Sequence, residues 1–290
     1  MFWKRVRLTL EMIKFEHSIF ALPFALTGTF LAVREVHAAA STIIEKLAWI
    51  IVAMVGARSA AMAFNRILDA KIDARNPRTR MRHIPAGILS IGFAWGFVLV
   101  SSAALLAAAW MLNPLCFLLA PIALAILFFY SYTKRFTALS HLVLGFSLGM
   151  APAAAWIAIT GSLDPRILWL TAAVTFWTAG FDIIYSCQDY DFDLSSGLFS
   201  IPRRFGIAGG LWIARALHLA MVGCLIALAL TFHLRWLSLI GIGIIVALLA
   251  YEHSLVKAND LSRVNAAFFT VNGYVSVLFF LFWAADIYAH

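Results

Sequence analysis

Residues 88–112 read ILSIGFAWGFVLVSSAALLAAAWML, and after Asn113 and Pro114 the chain resumes at 115–131 with LCFLLAPIALAILFFYS. Neither run holds a charged side chain. Each approaches the roughly 20 apolar residues that a helix needs to cross the hydrocarbon core of a bilayer. Together they predict a transmembrane hairpin closed by a two-residue turn. Runs of the same kind recur in both directions along the chain. They predict helices near 17–33, 43–64, 88–112, 115–131, 140–160, 167–187, 209–232, 236–254 and 264–285. The expectation is an all-α integral membrane bundle of about nine transmembrane helices. Nothing is left over for a soluble domain, so the chain reads as a single membrane domain, 1–290.

Composition agrees. The chain is 63% hydrophobic and 12% charged, whereas a soluble domain carries roughly 25% charged residues. There is too little polar surface for a water-soluble fold. The net charge of +8 does not require nucleic acid as a partner, because Lys and Arg accumulate in the cytoplasmic loops of membrane proteins and meet lipid phosphate there. The segment 1–17 is amphipathic and basic. It lacks the small-residue cleavage site of a signal peptide and the Ser-rich, acid-free character of a transit peptide. Cys116, Cys187 and Cys224 have the spacing of neither a zinc site nor a disulfide framework.

The cations are distributed unevenly. Sixteen of the 22 Lys and Arg fall in the N-terminal segment and in the loops after the second, fourth, sixth and eighth helices. Arg34, Lys46, Arg166 and Arg235 lie on the other side, and Arg58 and Arg215 lie inside helix ends. The positive-inside rule then puts the N-terminus in the cytoplasm, and an odd number of spans puts the C-terminus outside. The loops after the second and sixth helices are expected to be long, about twenty residues, and they hold five of the 14 acidic residues, more than the other loops. Long loops in a compact fold usually carry function.

Both of those loops begin with a spaced run of oxygen-bearing side chains. Residues 63–77 read AFNRILDAKIDARNP, which sets Asn65, Asp69 and Asp73 four apart. Residues 181–193 read FDIIYSCQDYDFD, which sets Tyr185, Asp189 and Asp193 at the same spacing. Residues four apart share one face of a helix, so each run forms a stripe, and the pair is a weak internal repeat. Mg²⁺ takes oxygen ligands and is commonly held by one or two carboxylates together with substrate phosphates and water. Two such stripes suit two Mg²⁺ ions and a diphosphate. Lys71, Arg78 and Arg82 follow the first run, and Lys134 and Arg135 follow the fourth helix, so positive charge is at hand. A single Asp at a wet helix end needs no special explanation; two matched runs at membrane depth are harder to explain by solvation, since ionisable groups there are costly. Such groups also mark ion paths, so a transporter or lipid-binding protein is an alternative of a different class. Asp73-Ala74-Arg75 is similar to the core of lipid phosphotransferases that use CDP-alcohols, but the glycines and spaced aspartates that should follow are missing.

Over nearly its whole length the chain resembles the UbiA family of membrane prenyltransferases. Asn65, Asp69 and Asp73 match that family's first aspartate-rich motif. Asp189 and Asp193 match its second, with Tyr185 one turn earlier. Tyr130 and Lys134 match its Tyr-x-x-x-Lys element, followed by Arg135, and 265–269 is similar to its last helix. The resemblance implies a Mg²⁺-dependent enzyme of the bacterial cytoplasmic (inner) membrane with its active site facing the cytoplasm. Asp69, Asp73, Asp189 and Asp193, with Asn65, would hold Mg²⁺ through the diphosphate of a polyprenyl diphosphate. Lys134 would help draw off the diphosphate, and the allylic cation left behind would alkylate an aromatic acid acceptor. Arg78, Tyr130 and Tyr185 would bind substrate, and Arg135 would take the acceptor's carboxylate. Membrane lipid is the other expected partner. Arg66 and the Arg82-His83-Ile84-Pro85 run depart from the ubiquinone-branch pattern and resemble the group linked to the futalosine route to menaquinone. The acceptor is therefore read as 4-hydroxybenzoate in quinone biosynthesis, with 1,4-dihydroxy-6-naphthoate as the alternative. His17, Pro23, Asn113 and Asn272 are given no chemical role; Pro23 is expected to kink the first helix.

Overall fold

The structure, a computed structural model, describes residues 2–14, 20–36 and 39–289, with side chains from residue 6 onward. His17 lies outside the described residues. The helices are α1 (Phe2–Met12), α2 (Leu22–Glu35), α3 (Ala40–Asp73), α4 (Ile91–Leu112), α5 (Pro114–Thr133), α6 (Ser140–Thr160), α7 (Leu168–Ser186), α8 (Tyr190–Ser196), α9 (Ile201–Thr231), α10 (Trp236–Leu255) and α11 (Asn272–Tyr288). Among the described residues, eight helical stretches are long and apolar enough to cross a membrane. α2, with 14 residues, stands where the first span was expected. The chain is an integral membrane protein.

The hairpin at 88–131 forms as its sequence dictates. Ser90 caps α4 by accepting from the Phe93 N–H at 3.2 Å. At the turn, Asn113 Oδ1 accepts from the Cys116 N–H at 2.9 Å, and Pro114 occupies the first position of α5, where its missing N–H costs nothing. Pro23 likewise sits in the first turn of α2. It starts that helix rather than kinking it, which corrects the sequence expectation.

Three other boundaries differ from expectation, two of them at the carboxylate runs. α3 continues to Asp73, so Asn65, Arg66 and Asp69 are on the helix and not in a loop. At 1.5 Å per residue, its 34 residues span about 50 Å, well beyond a hydrocarbon core of roughly 30 Å, so the carboxylate end can project past it. After α7 the expected long loop is largely helical: a 3₁₀ turn at Cys187–Asp189 leads into α8. α9 begins at Ile201, earlier than expected, because Ser200 caps it and Pro202 lies in its first turn. Gly206 then interrupts it at φ 74°, ψ 165°, a conformation open in practice only to glycine.

The chain divides into two compact units. The first comprises Met1–Ser18 and Ile44–Tyr132. Its core joins Met12 and Ile13 to Ala63 and Phe64 of α3, Ile84 and Leu89 of the following segment, and Ala94 and Val98 of α4. The second comprises Ile19–Ile43 and Thr133–His290. Here α7 is central and packs on both α6 and α9. Gly145 and Gly149, one turn apart on α6, let that backbone lie against Thr175 and Thr171 of α7. Lipid tails are as apolar as a protein interior, so such close approach carries helix association in a membrane.

Candidate active site

In the first unit the site is built on the last turns of α3. Asp69 is 1% exposed and Asp73 4%. Burying two carboxylates is tolerable only with partners. Asn65 Nδ2 donates to Asp69 Oδ2 at 3.1 Å and to Ser131 Oγ on α5 at 3.4 Å, next to Tyr130. Arg82 Nη1 donates to both oxygens of Asp73, at 2.8 and 2.9 Å. The intervening segment is folded to make this possible. Thr79 Oγ1 donates to the Asp73 carbonyl at 3.2 Å, and Asn76 Oδ1 accepts from the Arg78 N–H at 2.9 Å. Arg66 is buried beside these carboxylates, and its Nε donates to the Met12 carbonyl at 3.3 Å, which ties α1 to α3. Lys71 and Arg78 are exposed. Arg82, read after this run in sequence, is thus bonded to one of its carboxylates.

In the second unit Tyr185 lies in the last turn of α7, Asp189 closes the 3₁₀ turn and Asp193 lies on α8. The four-residue spacing thus crosses two changes of helix type. Asp193 is buried, and its Oδ2 accepts from Ser200 Oγ at 2.7 Å. Lys134 and His141 lie near enough to act on its charge, as does Asp189. The Lys134 carbonyl accepts from the Phe199 N–H at 2.8 Å, which fixes the Lys134–Arg135 turn to the segment that follows α8. Arg135 is half-buried in that turn.

Sequence reasoning missed three residues here. Ser200 bonds Asp193 and caps α9 at once. His141 on α6 has its Nδ1 2.7 Å from Asp182 Oδ2, while the Ile201 N–H donates to its Nε2 at 3.3 Å. An Nε2 that accepts leaves the ring proton on Nδ1, donated to Asp182. A signal for Asp182 was available: it falls two turns before Asp189, on the same helical face.

Tyr185 has aromatic neighbours. Its ring lies 4.2 Å from Phe268 and 6.1 Å from Phe269, Phe268 meets Phe181 at 5.2 Å, and Phe181 meets Trp177 at 4.9 Å. Phe268 and Phe269 belong to a π-helical turn, Ala266–Val271, that opens the last span. Such turns are frequent at functional sites. Asn272, given no role from sequence, is fully buried and accepts from Trp177 Nε1 at 2.7 Å, so it anchors this wall.

Among the described residues no three His, Cys, Asp or Glu side chains converge as a ready-made metal cluster. The donors in the two runs are carboxylate and amide oxygens. That set fits Mg²⁺, which is usually completed by substrate oxygens and water; it does not suit zinc, which favours nitrogen and sulfur.

The profile of the UbiA prenyltransferase family matches residues 21–284. The 4-hydroxybenzoate octaprenyltransferase of Vibrio atlanticus is 32% identical over 236 residues, covering 78% of this chain and 81% of that protein. The protein of the same name from Pseudoalteromonas translucida is 33% identical over 230 residues, covering 77% and 76%. Among solved structures, the apo UbiA homolog from Aeropyrum pernix superposes with a TM-score of 0.83 at 35% identity, covering 93% of this chain and 98% of that one. A UbiA homolog from Archaeoglobus fulgidus bound to GPP and Mg²⁺ shares the fold, with a TM-score of 0.75 at 22% identity and coverage of 97% and 99%.

Proposed function

The chain belongs to the UbiA prenyltransferase family, and on that premise we propose that it transfers a polyprenyl group from polyprenyl diphosphate to 4-hydroxybenzoate in quinone biosynthesis. The names of the Vibrio and Pseudoalteromonas relatives support the acceptor. The family match runs through both units, which supports reading 1–290 as one functional domain. The observation that carries the reading is that each carboxylate run has its own cation: Arg82 on Asp73 in the first unit, Lys134 near Asp193 in the second.

In this reading Asp69 and Asp73, with Asn65, would hold one Mg²⁺, and Asp189 and Asp193 would hold another. Mg²⁺ held there would supply positive charge against the diphosphate. The C1–O bond of the donor breaks and its electron pair leaves with the diphosphate, which Lys134 and Arg78 contact. Arg82 holds the Asp73 carboxylate in place. Tyr185, Phe268 and Phe269 present ring faces that favour a cation over water. The acceptor ring forms the new carbon–carbon bond and loses a proton to regain aromaticity. Arg135 binds its carboxylate through paired N–H donors, and Tyr130 positions the donor. The excess of cations on one side of the bundle supports a cytoplasmic active site in the inner membrane.

The assay is direct. Purified protein is incubated with geranyl diphosphate, Mg²⁺ and either 4-hydroxybenzoate or 1,4-dihydroxy-6-naphthoate, and both the prenylated product and released diphosphate are measured. Arg66 and the 82–85 run make the naphthoate the competing arm, and the higher kcat/KM decides the acceptor. Activity in EDTA equal to that in Mg²⁺ removes the metal assignment. Solute movement without a covalent product replaces the enzyme by a transporter.

A further inference from the structure

Arg215 is one of two cations that the charge count assigns to neither side of the membrane. It lies within α9, near the end that meets the close of α10, and a cation inside an apolar helix as a rule faces a partner or a cavity. Arg215 borders a cavity of about 510 Å³ at the end of the α9–α10 pair, shared with Trp212, His253, Ser254 and Lys257. Its guanidinium stacks on the Trp212 ring at 4.6 Å.

The cavity wall is built from behind. His253 Nε2 lies 3.0 Å from Nδ1 of the buried His218, whose Nε2 faces the Trp177 carbonyl at 3.3 Å. The nearby carboxylate turns inward: Glu252 is fully buried, and its Oε1 accepts from Asn272 at 2.7 Å. Among the described residues its Oε2 accepts no hydrogen bond, and it stands 3.7 Å from His218 Nδ1. The acid at the rim, Asp260, bridges Lys257 through the backbone, and its side chain accepts from the Ser262 N–H at 3.0 Å. Arg215, His253 and Lys257 thus line the opening. Along the same helix, Trp212 is 68% exposed and Leu219 73%. On a membrane protein such side chains face acyl chains, and tryptophan favours the headgroup level.

We propose that this cavity binds the phosphate of an anionic phospholipid, with Arg215 and Lys257 on the phosphate, His253 hydrogen-bonded to the headgroup, and Trp212 and Leu219 along an acyl chain. Basic pockets between transmembrane helices suit such headgroups. A free phosphate shares the charge chemistry but has no use for the exposed apolar stripe. The site uses none of the residues assigned to prenyl transfer.

The test is native mass spectrometry of the purified full chain, titrated with phosphatidylglycerol or with phosphatidylcholine of the same acyl chains. The wild type retains phosphatidylglycerol in preference. Arg215→Gln and Lys257→Gln each weaken its binding on the order of fivefold, leave phosphatidylcholine binding unchanged, and add in the double variant. Lys257 lies in an exposed loop, so its variant reads the site even where Arg215→Gln disturbs the fold. Three results overturn the proposal: equal retention of the two lipids, wild-type affinity for phosphatidylglycerol in Lys257→Gln, or full displacement of the lipid by millimolar inorganic phosphate.

Discussion

The two carboxylate runs share a spacing and little else. Asn65, Asp69 and Asp73 ride one unbroken helix, and both carboxylates are almost completely buried. Asp73 is held by a guanidinium. Tyr185, Asp189 and Asp193 cross a 3₁₀ turn into a second short helix, Asp189 stays half-buried, and Asp193 is held by a hydroxyl. The first run is a preformed ionic structure; the second is a polar edge attached to an aromatic wall. Matched spacing in sequence therefore signals shared chemistry without fixing how each carboxylate is held.

The largest effect to be expected is on turnover, and there the two runs should behave alike. Asp69→Asn and Asp189→Asn keep shape and remove one negative charge each from the proposed Mg²⁺ sites. Each is expected to lower kcat on the order of 10³-fold, the scale on which losing several kcal/mol of charge stabilisation registers. Both variants should remain monodisperse in detergent. A full-rate Asp189→Asn beside a dead Asp69→Asn would falsify the equivalence and leave the second run a structural role.

Stability should separate the runs instead. Arg82→Gln leaves the Asp73 carboxylate buried without its cation. Breaking a buried pair costs about 3–5 kcal/mol, and since 28% of the Arg82 side chain is exposed, solvent screening puts the expectation at the lower end, about 3 kcal/mol. The apparent Tm in detergent should fall accordingly. Arg82→Gln combined with Asp73→Asn should recover most of the loss, because no orphan charge remains; an equally unstable double variant places the effect in the 74–90 segment and not in the ion pair.

Why were some of these features readable in the sequence and others not? The hairpin at 88–131 was legible because a charge-free run of bilayer length has few other fates. The first carboxylate run was legible as a stripe because four-residue spacing is a local property of a helix, and α3 is unbroken there; the second run shares the spacing but not the single helix. Arg82 on Asp73, Ser200 on Asp193 and His141 on Asp182 are made by chain closure, across turns or between helices, and no local period encodes them. The start of α9 was missed for a related reason. Its first turn is cut off from the apolar run by the Gly206 kink, so the hydrophobic pattern begins only after the helix already has.

A smaller stability effect should appear in the second run. Ser200→Ala removes the hydroxyl that donates to Asp193 and caps α9. A hydrogen bond to a charged group contributes about 1.5–3 kcal/mol. The expected loss is about 2 kcal/mol, less than for Arg82→Gln, read from the same thermal denaturation. The reverse order would mean that the second run, not the first, is the rigid half of the comparison.

The smallest expected effect concerns the first position of each run, where the two differ most in kind. Asn65 is a hydrogen-bonding amide directed at Asp69, whereas Tyr185 lies 4.2 Å from the Phe268 ring. If Tyr185 acts through its ring face on the developing cation, Tyr185→Phe keeps that face and should hold kcat within about threefold. Tyr185→Leu fills similar space without a π system. Losing one cation–π contact of about 0.5–2 kcal/mol should lower kcat by roughly tenfold, with donor KM little changed because the diphosphate contacts remain. Asn65→Leu should instead weaken the apparent affinity for Mg²⁺, since it removes an oxygen and the donor that orients Asp69. A Tyr185→Phe loss as deep as that of Tyr185→Leu would move the role of Tyr185 from ring to hydroxyl, and the two runs would then be alike at their first position as well.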